Sequence, residues 1–173
     1  MKALERMASM GLFDFLKRKQ PTTQLEKNVP SSQSTELGET QFETRLRGAS
    51  ITNDAALIEE IVEKMVEEDP FQRFYQGMSD EDFGLGSKRT FQYTDVTTMN
   101  VDVSSTGDIT IEGIRLGKIP EHEFAKIKNY HEKYMLTAYV YVTGGRYKEY
   151  DSEQDIVHED STPYNLDIFL QYN

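Results

Sequence analysis

The strongest structural signal in the chain is the stretch Leu136–Thr143, which reads LTAYVYVT. Its aliphatic side chains alternate with the others, as in an extended strand that buries one face, and Tyr139 and Tyr141 fall on the opposite face. The glycine pair that follows, residues 144–145, predicts a turn, and Arg146–Tyr150 is then predicted to return as a second strand. The pattern indicates an antiparallel sheet built around residues 136–143.

Two helices are predicted to cover this sheet. The first is capped by Asn53 or Asp54 and stops at Asp69, because the residue before a proline avoids the helical conformation. Its inner face is defined by apolar residues at helical spacing, which are Leu57, Ile58, Ile61, Val62, Met65 and Val66. The second helix is predicted to start with Pro120, and its inner face is assigned to Phe124, Ile127, Tyr130 or His131, and Tyr134.

Further strands are predicted on both sides of the second helix. They are Thr44–Ser50, Thr97–Val103 with Met99, Val101 and Val103 on one face, Ile109–Ile111 after a hairpin loop at Ser104–Asp108, Ile114–Ile119, and a last strand carrying Leu166, Ile168, Leu170 and Tyr172. The acidic stretch Asp151–Pro163 is predicted to be a loop. The expected fold class is α+β: a small, strongly bent antiparallel sheet or partly open β-barrel with two covering helices.

The polar composition of the first forty residues predicts a flexible leader and linker, residues 1–41, before an α+β domain at residues 42–173. Within the leader, residues 10–19 combine apolar side chains with Lys17-Arg18-Lys19, and they are either a short helical turn that contacts a membrane or a partner, or a frayed terminus. No apolar run approaches the roughly 20 residues that span a bilayer. The chain has no cysteine, which fits a reducing compartment, so a cytoplasmic protein is expected.

The net charge of −11 is unevenly distributed along the chain. Residues 1–20 carry five basic and two acidic side chains, whereas residues 50–87 carry two basic and ten acidic ones. An acidic surface repels phosphate, so generic electrostatic binding to nucleic acid is disfavoured.

The residue types that carry catalysis do not form a recognisable constellation in the sequence. Without cysteine there is neither a zinc–thiolate site nor a cysteine nucleophile. The clusters around His122 and His158 lack the i, i+4 histidine spacing with which a helix presents two ligands to zinc. We therefore expect no catalytic residue, metal or cofactor and interpret the protein as a non-enzymatic binding domain; a small hydrolase would require a cleft that brings acids together.

One candidate ligand-binding surface is formed by Tyr139, Tyr141, Arg146, Tyr147 and Lys148, if the turn at residues 144–145 places them on one sheet face. Aromatic rings interleaved with cations stack the bases of single-stranded nucleic acids. The alternative is a tyrosine ladder that holds two strands together.

A second candidate surface is the acidic face of the first helix. Glu59, Glu60 and Glu63 lie opposite its apolar stripe. They are suited to a protein partner with a basic surface, as in an inhibitor or immunity-type protein that meets a basic toxin or nuclease.

Several short stretches also carry a family resemblance. They are Met10–Leu16 at the start, Leu46-Arg47-Gly48, Met99–Val103, Leu116-Gly117-Lys118-Ile119-Pro120 ahead of a helix, and Val140–Gly145. The chain resembles small bacterial proteins that begin with a segment of the type MGLFDFL and end in a HIRAN-like domain, and the similarity spans roughly residues 42–173. The resemblance implies a small β-barrel with a helix and, as partner, the end of a single-stranded nucleic acid, whereas the acidic charge favours a protein with a basic surface.

The resemblance does not extend to the family's DNA-binding motif. HIRAN domains that grip DNA ends carry an Asn-Pro-x-Asp-x-x-Ala-Ile stretch, and the matching region here is Tyr93–Met99, which reads YTDVTTM. No DNA-binding residue is therefore carried over from the family, since a fold does not by itself transmit a function.

Overall fold

The computed structural model describes residues 39–173. The predicted leader and linker therefore lie outside the described residues except for positions 39–41, and the prediction for residues 10–19 lies wholly outside them. The described part of the chain contains eight strands and two α-helices. They are β1 Phe42–Arg47, β2 Thr90–Phe91, β3 Thr97–Thr98, β4 Val101–Val103, β5 Asp108–Ile111, β6 Ile114–Lys118, β7 Leu136–Asp151, β8 Ile156–Tyr172, α1 Ala55–Glu68 and α2 Glu121–His131.

The strands form two antiparallel sheets that do not close into a barrel. In the larger sheet the strand order is β1-β8-β7-β2, and β3 also pairs with β7; the smaller sheet has the order β4-β5-β6. The α+β class and the bent sheet are as predicted.

Helix α1 follows its sequence pattern closely. The Asp54 carboxylate accepts hydrogen bonds from the backbone N–H groups of Ala56 and Leu57, both at 3.1 Å, so it satisfies two of the donors that a helix start leaves without partners. The helix ends at Glu68, with Asp69 as its C-cap ahead of Pro70. Its buried residues are Ile58, Ile61, Val62 and Met65.

Strands β7 and β8 form a long hairpin that differs from the prediction. No turn occurs at residues 144–145: Gly144 (φ +74°) and Gly145 (φ +81°) lie at a shift in register within one continuous strand. Glycine adopts this left-handed conformation without steric cost, and it makes a β-bulge here. The predicted loop Asp151–Pro163 is also wrong, because Ile156–Pro163 is the first half of β8. Its side chains are mostly exposed, so the strand lacks the apolar alternation that would reveal it.

The predicted strand Thr97–Val103 is divided between the two sheets. β3 pairs with β7, whereas β4 pairs with β5, and the chain changes direction at Met99-Asn100. The Thr98 hydroxyl accepts a hydrogen bond from the Asn100 backbone at 2.9 Å, which stabilises this corner. Met99 is 60% exposed, whereas Val101 and Val103 are partly buried, so the prediction that the three side chains share one face is wrong.

Smaller differences occur at the ends of other elements. The first strand is Phe42–Arg47, and Gly48–Ser50 is a 3₁₀ turn. Pro120 is the N-cap of α2 and not its first helical residue. Of the side chains assigned to the inner face of α2, Ile127 is buried and Phe124 and Tyr130 are partly buried, whereas Tyr134 is 39% exposed.

The core lies between α1, α2 and the inner faces of the two sheets. Strand β7 contributes Ala138, Val140 and Val142, and β8 contributes Leu166, Ile168, Leu170 and Tyr172, as the alternation predicts. These strands therefore present their odd-numbered residues, from Thr137 to Tyr141 and from Asp167 to Gln171, on the outer face.

Candidate functional site

The outer face of the larger sheet brings together side chains from three neighbouring strands. In the register of the sheet, Tyr139 of β7 lies opposite Phe169 of β8, which lies opposite Arg45 of β1. The next row contains Tyr141, Asp167 and Arg47. The side chains of each row lie on the same side of the sheet, because directly paired residues of antiparallel strands point the same way.

Around these rows the surface forms a concavity of about 430 Å³. It is lined by Tyr139, Tyr141, Asp167, Phe169 and Gln171, which we call the aromatic face. The rings of Tyr141 and Phe169 meet edge to face, with centroids 5.6 Å apart, and this geometry is favourable for aromatic pairs. Tyr141 is 40% exposed. The aromatic face thus presents ring surface to the solvent at the centre of the sheet.

Two arginines of β1 border the aromatic face. The Arg45 guanidinium lies over the Phe169 ring, with Cζ 5.3 Å from the centroid, and forms an ion pair with Asp167. Arg47 Nε lies 3.8 Å from the second oxygen of the same carboxylate. Both cations thus share one carboxylate, Asp167, so the β1 border of the aromatic face keeps one positive charge that this carboxylate does not neutralise.

The structure separates the five residues predicted as one ligand-binding surface. Tyr139 and Tyr141 lie in the aromatic face. Arg146 lies about 16 Å further along β7, at roughly 3.3 Å per residue. Tyr147 is only 6% exposed. The predicted gathering across a turn is therefore wrong, because the chain continues through the bulge instead of reversing.

The two cations beyond the bulge have acidic partners. Arg146 forms an ion pair with Glu159, and Lys148 Nζ donates to Asp80 at 2.6 Å and lies 4.7 Å from the Tyr75 ring centroid. The hydrogen bond to Asp80 raises the pKa of Lys148 above its usual value. Lys148 thus holds the hairpin against residues 75–80, and Arg146 links the two strands of the hairpin, so both cations make structural contacts.

The second predicted surface is present as a solvent-facing helix side. Glu59, Glu60 and Glu63 are exposed on α1, and none of them has an ion pair with a described residue. The one lysine of this helix, Lys64, pairs with Glu67 and Glu68 instead. Because α1 packs on the inner face of the sheet, these acids lie on the opposite side of the sheet from the aromatic face.

Residues 39–173 contain no group of three or more histidine and acidic side chains placed to hold a metal ion. His122 Nε2 lies 3.2 Å from Glu123 Oε1 on the exposed first turn of α2, and His158 is paired with Glu149 in the hairpin ladder. Over the same residues, neither helix is long and apolar enough to cross a membrane.

Comparison of the chain with models of protein families, with curated proteins and with solved structures finds no match. The aromatic face and the acidic helix must therefore be interpreted from their own chemistry.

Sequence reasoning missed Phe169, Asp167 and Arg45 as members of the site. Their positions were available in principle, because Asp167 and Phe169 alternate with the apolar residues of the last strand, and Arg45 precedes the buried Leu46. The sequence does not show that β8 pairs with both β1 and β7. This pairing places the three side chains beside Tyr139 and Tyr141.

Proposed function

We propose that residues 39–173 act as a non-enzymatic binding domain that receives a protein partner on the aromatic face. The observation that carries this proposal is the set of three aromatic rings, Tyr139, Tyr141 and Phe169, around one open concavity. Aromatic side chains supply much of the binding energy at protein interfaces, since they bury a large area at a small cost in side-chain entropy.

Charge favours a protein over a nucleic acid as the partner. Residues 39–173 carry 13 basic and 26 acidic side chains, a net charge of −13. Such a surface repels phosphate and attracts basic proteins through its long-range field. The two arginines that border the aromatic face are engaged with Asp167, so a phosphate would have to compete with an existing ion pair.

A single-stranded nucleic-acid end is the second candidate. The resemblance of residues 42–173 to HIRAN-like domains supports it, as does the pair of tyrosines on one strand, since exposed rings stack bases. A third arrangement uses the other side of the domain, where Glu59, Glu60 and Glu63 would meet the basic surface of a toxin or nuclease.

Position-specific photocrosslinking in the host tests the proposal. The photoreactive residue p-benzoylphenylalanine is placed at Tyr139 of the full chain and, as a control, at Tyr134, which is exposed and packs beside Tyr130, itself a neighbour of the inner-face residue Tyr172. We expect a discrete protein adduct from position 139 that disappears when Phe169→Ala is added, and none from position 134. Equal crosslinking from both positions, or an adduct that survives Phe169→Ala, contradicts the proposed surface.

Two further measurements separate the alternatives. Fluorescence anisotropy with a labelled single-stranded oligonucleotide at two salt concentrations tests the nucleic-acid candidate, in which Tyr139→Ala and Tyr141→Ala should each cost about 1–3 kcal/mol of binding. If the acidic helix is the interface, replacing Glu59, Glu60 and Glu63 by lysine should abolish the adduct or slow association at low salt, while both tyrosine variants leave binding intact.

A further inference from the structure

The residues that line the aromatic face indicate which chemical group of a partner it binds. Its lining consists of three aromatic rings, one carboxylate and one amide. The faces of phenyl and phenol rings carry partial negative charge, and they attract a cation that lies within about 6 Å of the ring centroid. The Asp167 carboxylate already pairs with Arg45 and lies near Arg47, so the attraction for a further cation comes from the ring faces of Tyr139 and Tyr141.

The chain itself shows that this surface accommodates a guanidinium. Arg45 lies over Phe169, with Cζ 5.3 Å from the ring centroid, and pairs with Asp167. Phe169 and Asp167 therefore already hold one guanidinium of the chain itself. Yet no lysine or arginine of the described residues lines the concavity beside Tyr139 and Tyr141. The tyrosine side of the concavity thus has cation-binding chemistry without an internal cation.

The electrostatic field of the whole domain also favours a cationic ligand. With a net charge of −13 over residues 39–173, the domain raises the local concentration of basic partners before contact. A phosphate or a carboxylate would meet the ring faces of Tyr139 and Tyr141, whose partial negative charge repels anions.

From these contacts we infer that the aromatic face binds an arginine or lysine side chain presented by a basic protein partner. The cation lies against the rings of Tyr139 and Tyr141. Arg45 remains over the Phe169 ring and borders the binding site on the side of β1. This inference rests on the proposed function, because it assigns the chemistry of the partner to the same surface.

Nuclear magnetic resonance of the full-length chain provides the test. Aromatic and backbone signals are followed during titration, to several millimolar, with four probes: acetyl-Gly-Arg-Gly-Arg-Gly-amide, the same peptide with citrulline for arginine, the same peptide with leucine, and a thymidine decamer. Citrulline has nearly the shape of arginine but no charge. We expect the arginine peptide to shift the ring signals of Tyr139, Tyr141 and Phe169, and the citrulline peptide to leave them unchanged.

Substitutions at two equally exposed tyrosines give a matched comparison. Tyr141→Leu keeps apolar area but removes the ring, and it should weaken binding of the arginine peptide about two- to fivefold, the effect of one exposed cation–π contact. Tyr141→Phe keeps the ring and should restore binding. Tyr134→Leu, at 39% exposure against 40% for Tyr141, lies beside Tyr130 and outside the aromatic face, so it should have no effect.

The remaining outcomes distinguish failure of the inference from failure of the proposed function. If the leucine or citrulline peptide shifts the aromatic face as strongly as the arginine peptide, the surface is an apolar binding site, so the function stands and the cation specificity is wrong. If the arginine peptide perturbs only the acids of α1, the inference is also wrong. If the thymidine decamer alone shifts the rings, the partner is a nucleic acid. If no probe perturbs the aromatic face, both the inference and the proposed surface fail.

Discussion

The hydroxyl of Tyr172 is buried without a hydrogen-bond partner among the residues that the structure describes. Tyr172 is 0% exposed, and its ring packs edge-on against His131, with centroids 6.0 Å apart. A buried polar group without a partner destabilises the folded state, because it has lost its bonds to water. We therefore expect Tyr172→Phe, which keeps the ring and removes the hydroxyl, to stabilise the domain at neutral pH by about 1 kcal/mol.

The same burial predicts a dependence on alkaline pH. Burial raises the pKa of Tyr172 from 10.0 to about 12. Since the folded pKa lies above the unfolded one, deprotonation of Tyr172 favours the unfolded state: the wild type keeps its full stability below pH 10 and loses stability as the pH rises from 10 through about 12. Two pKa units correspond to roughly 2.7 kcal/mol at the alkaline limit. Tyr172→Phe removes this alkaline loss of stability, because phenylalanine does not ionise.

Urea unfolding followed by circular dichroism, repeated between pH 7 and pH 11.5, measures both effects. The variant should be more stable by about 1 kcal/mol at pH 7, a shift of about 4 °C in the unfolding temperature. The difference between variant and wild type should then grow above pH 10 by at most about 1.4 kcal/mol per pH unit. Parallel stability curves across this range, or a variant that is less stable at pH 7, would refute the reasoning, because either result means that the hydroxyl is solvated or has a partner.

Three further predictions test the fold, and two of them include a control substitution. Gly145→Ala should cost more than about 2 kcal/mol, because its Cβ would overlap the Tyr164 ring at a φ of +81°, whereas Gly84→Ala, with nothing within 4 Å, should be nearly neutral; thermal unfolding of both variants decides. Asp54→Ala should lower the free energy of urea unfolding by about 1 kcal/mol and Asp54→Asn by much less, since asparagine retains the cap. Val140→Asp should leave the domain unfolded by circular dichroism, because it buries an unpaired charge at a side chain that is 0% exposed; a native-like spectrum would show that the assignment of strand faces is mistaken.

The strong local patterns were sufficient to predict much of the fold. The alternation of residues 136–143 assigned Val140 to the core and Tyr139 and Tyr141 to the outer face, and the structure agrees. The capping residue of α1 predicted the start of this helix, and Asp69 ahead of Pro70 predicted its end. These features depend on neighbours within a few residues, so sequence alone contains the necessary information.

The prediction failed where distant parts of the chain decide the local conformation. A glycine pair after a strand is compatible with a turn or with a bulge, and here the pairing of β7 with β8 along their whole length selects the bulge. The polar segment Ile156–Pro163 becomes a strand because β7 offers it a ladder of hydrogen bonds, although its own composition is typical of a loop.

The same distinction between local pattern and distant pairing applies to the candidate site. Sequence by itself determined that Tyr139 and Tyr141 face away from the core, because alternation is a property of a single strand. Only the tertiary structure decided that Phe169 and Asp167 lie beside them and that Arg146 and Lys148 do not. Residues 139 and 169 become neighbours through strand register, which is set by the packing of the inner face against α1 and the core and not by any interaction that residues 139–141 make on their own.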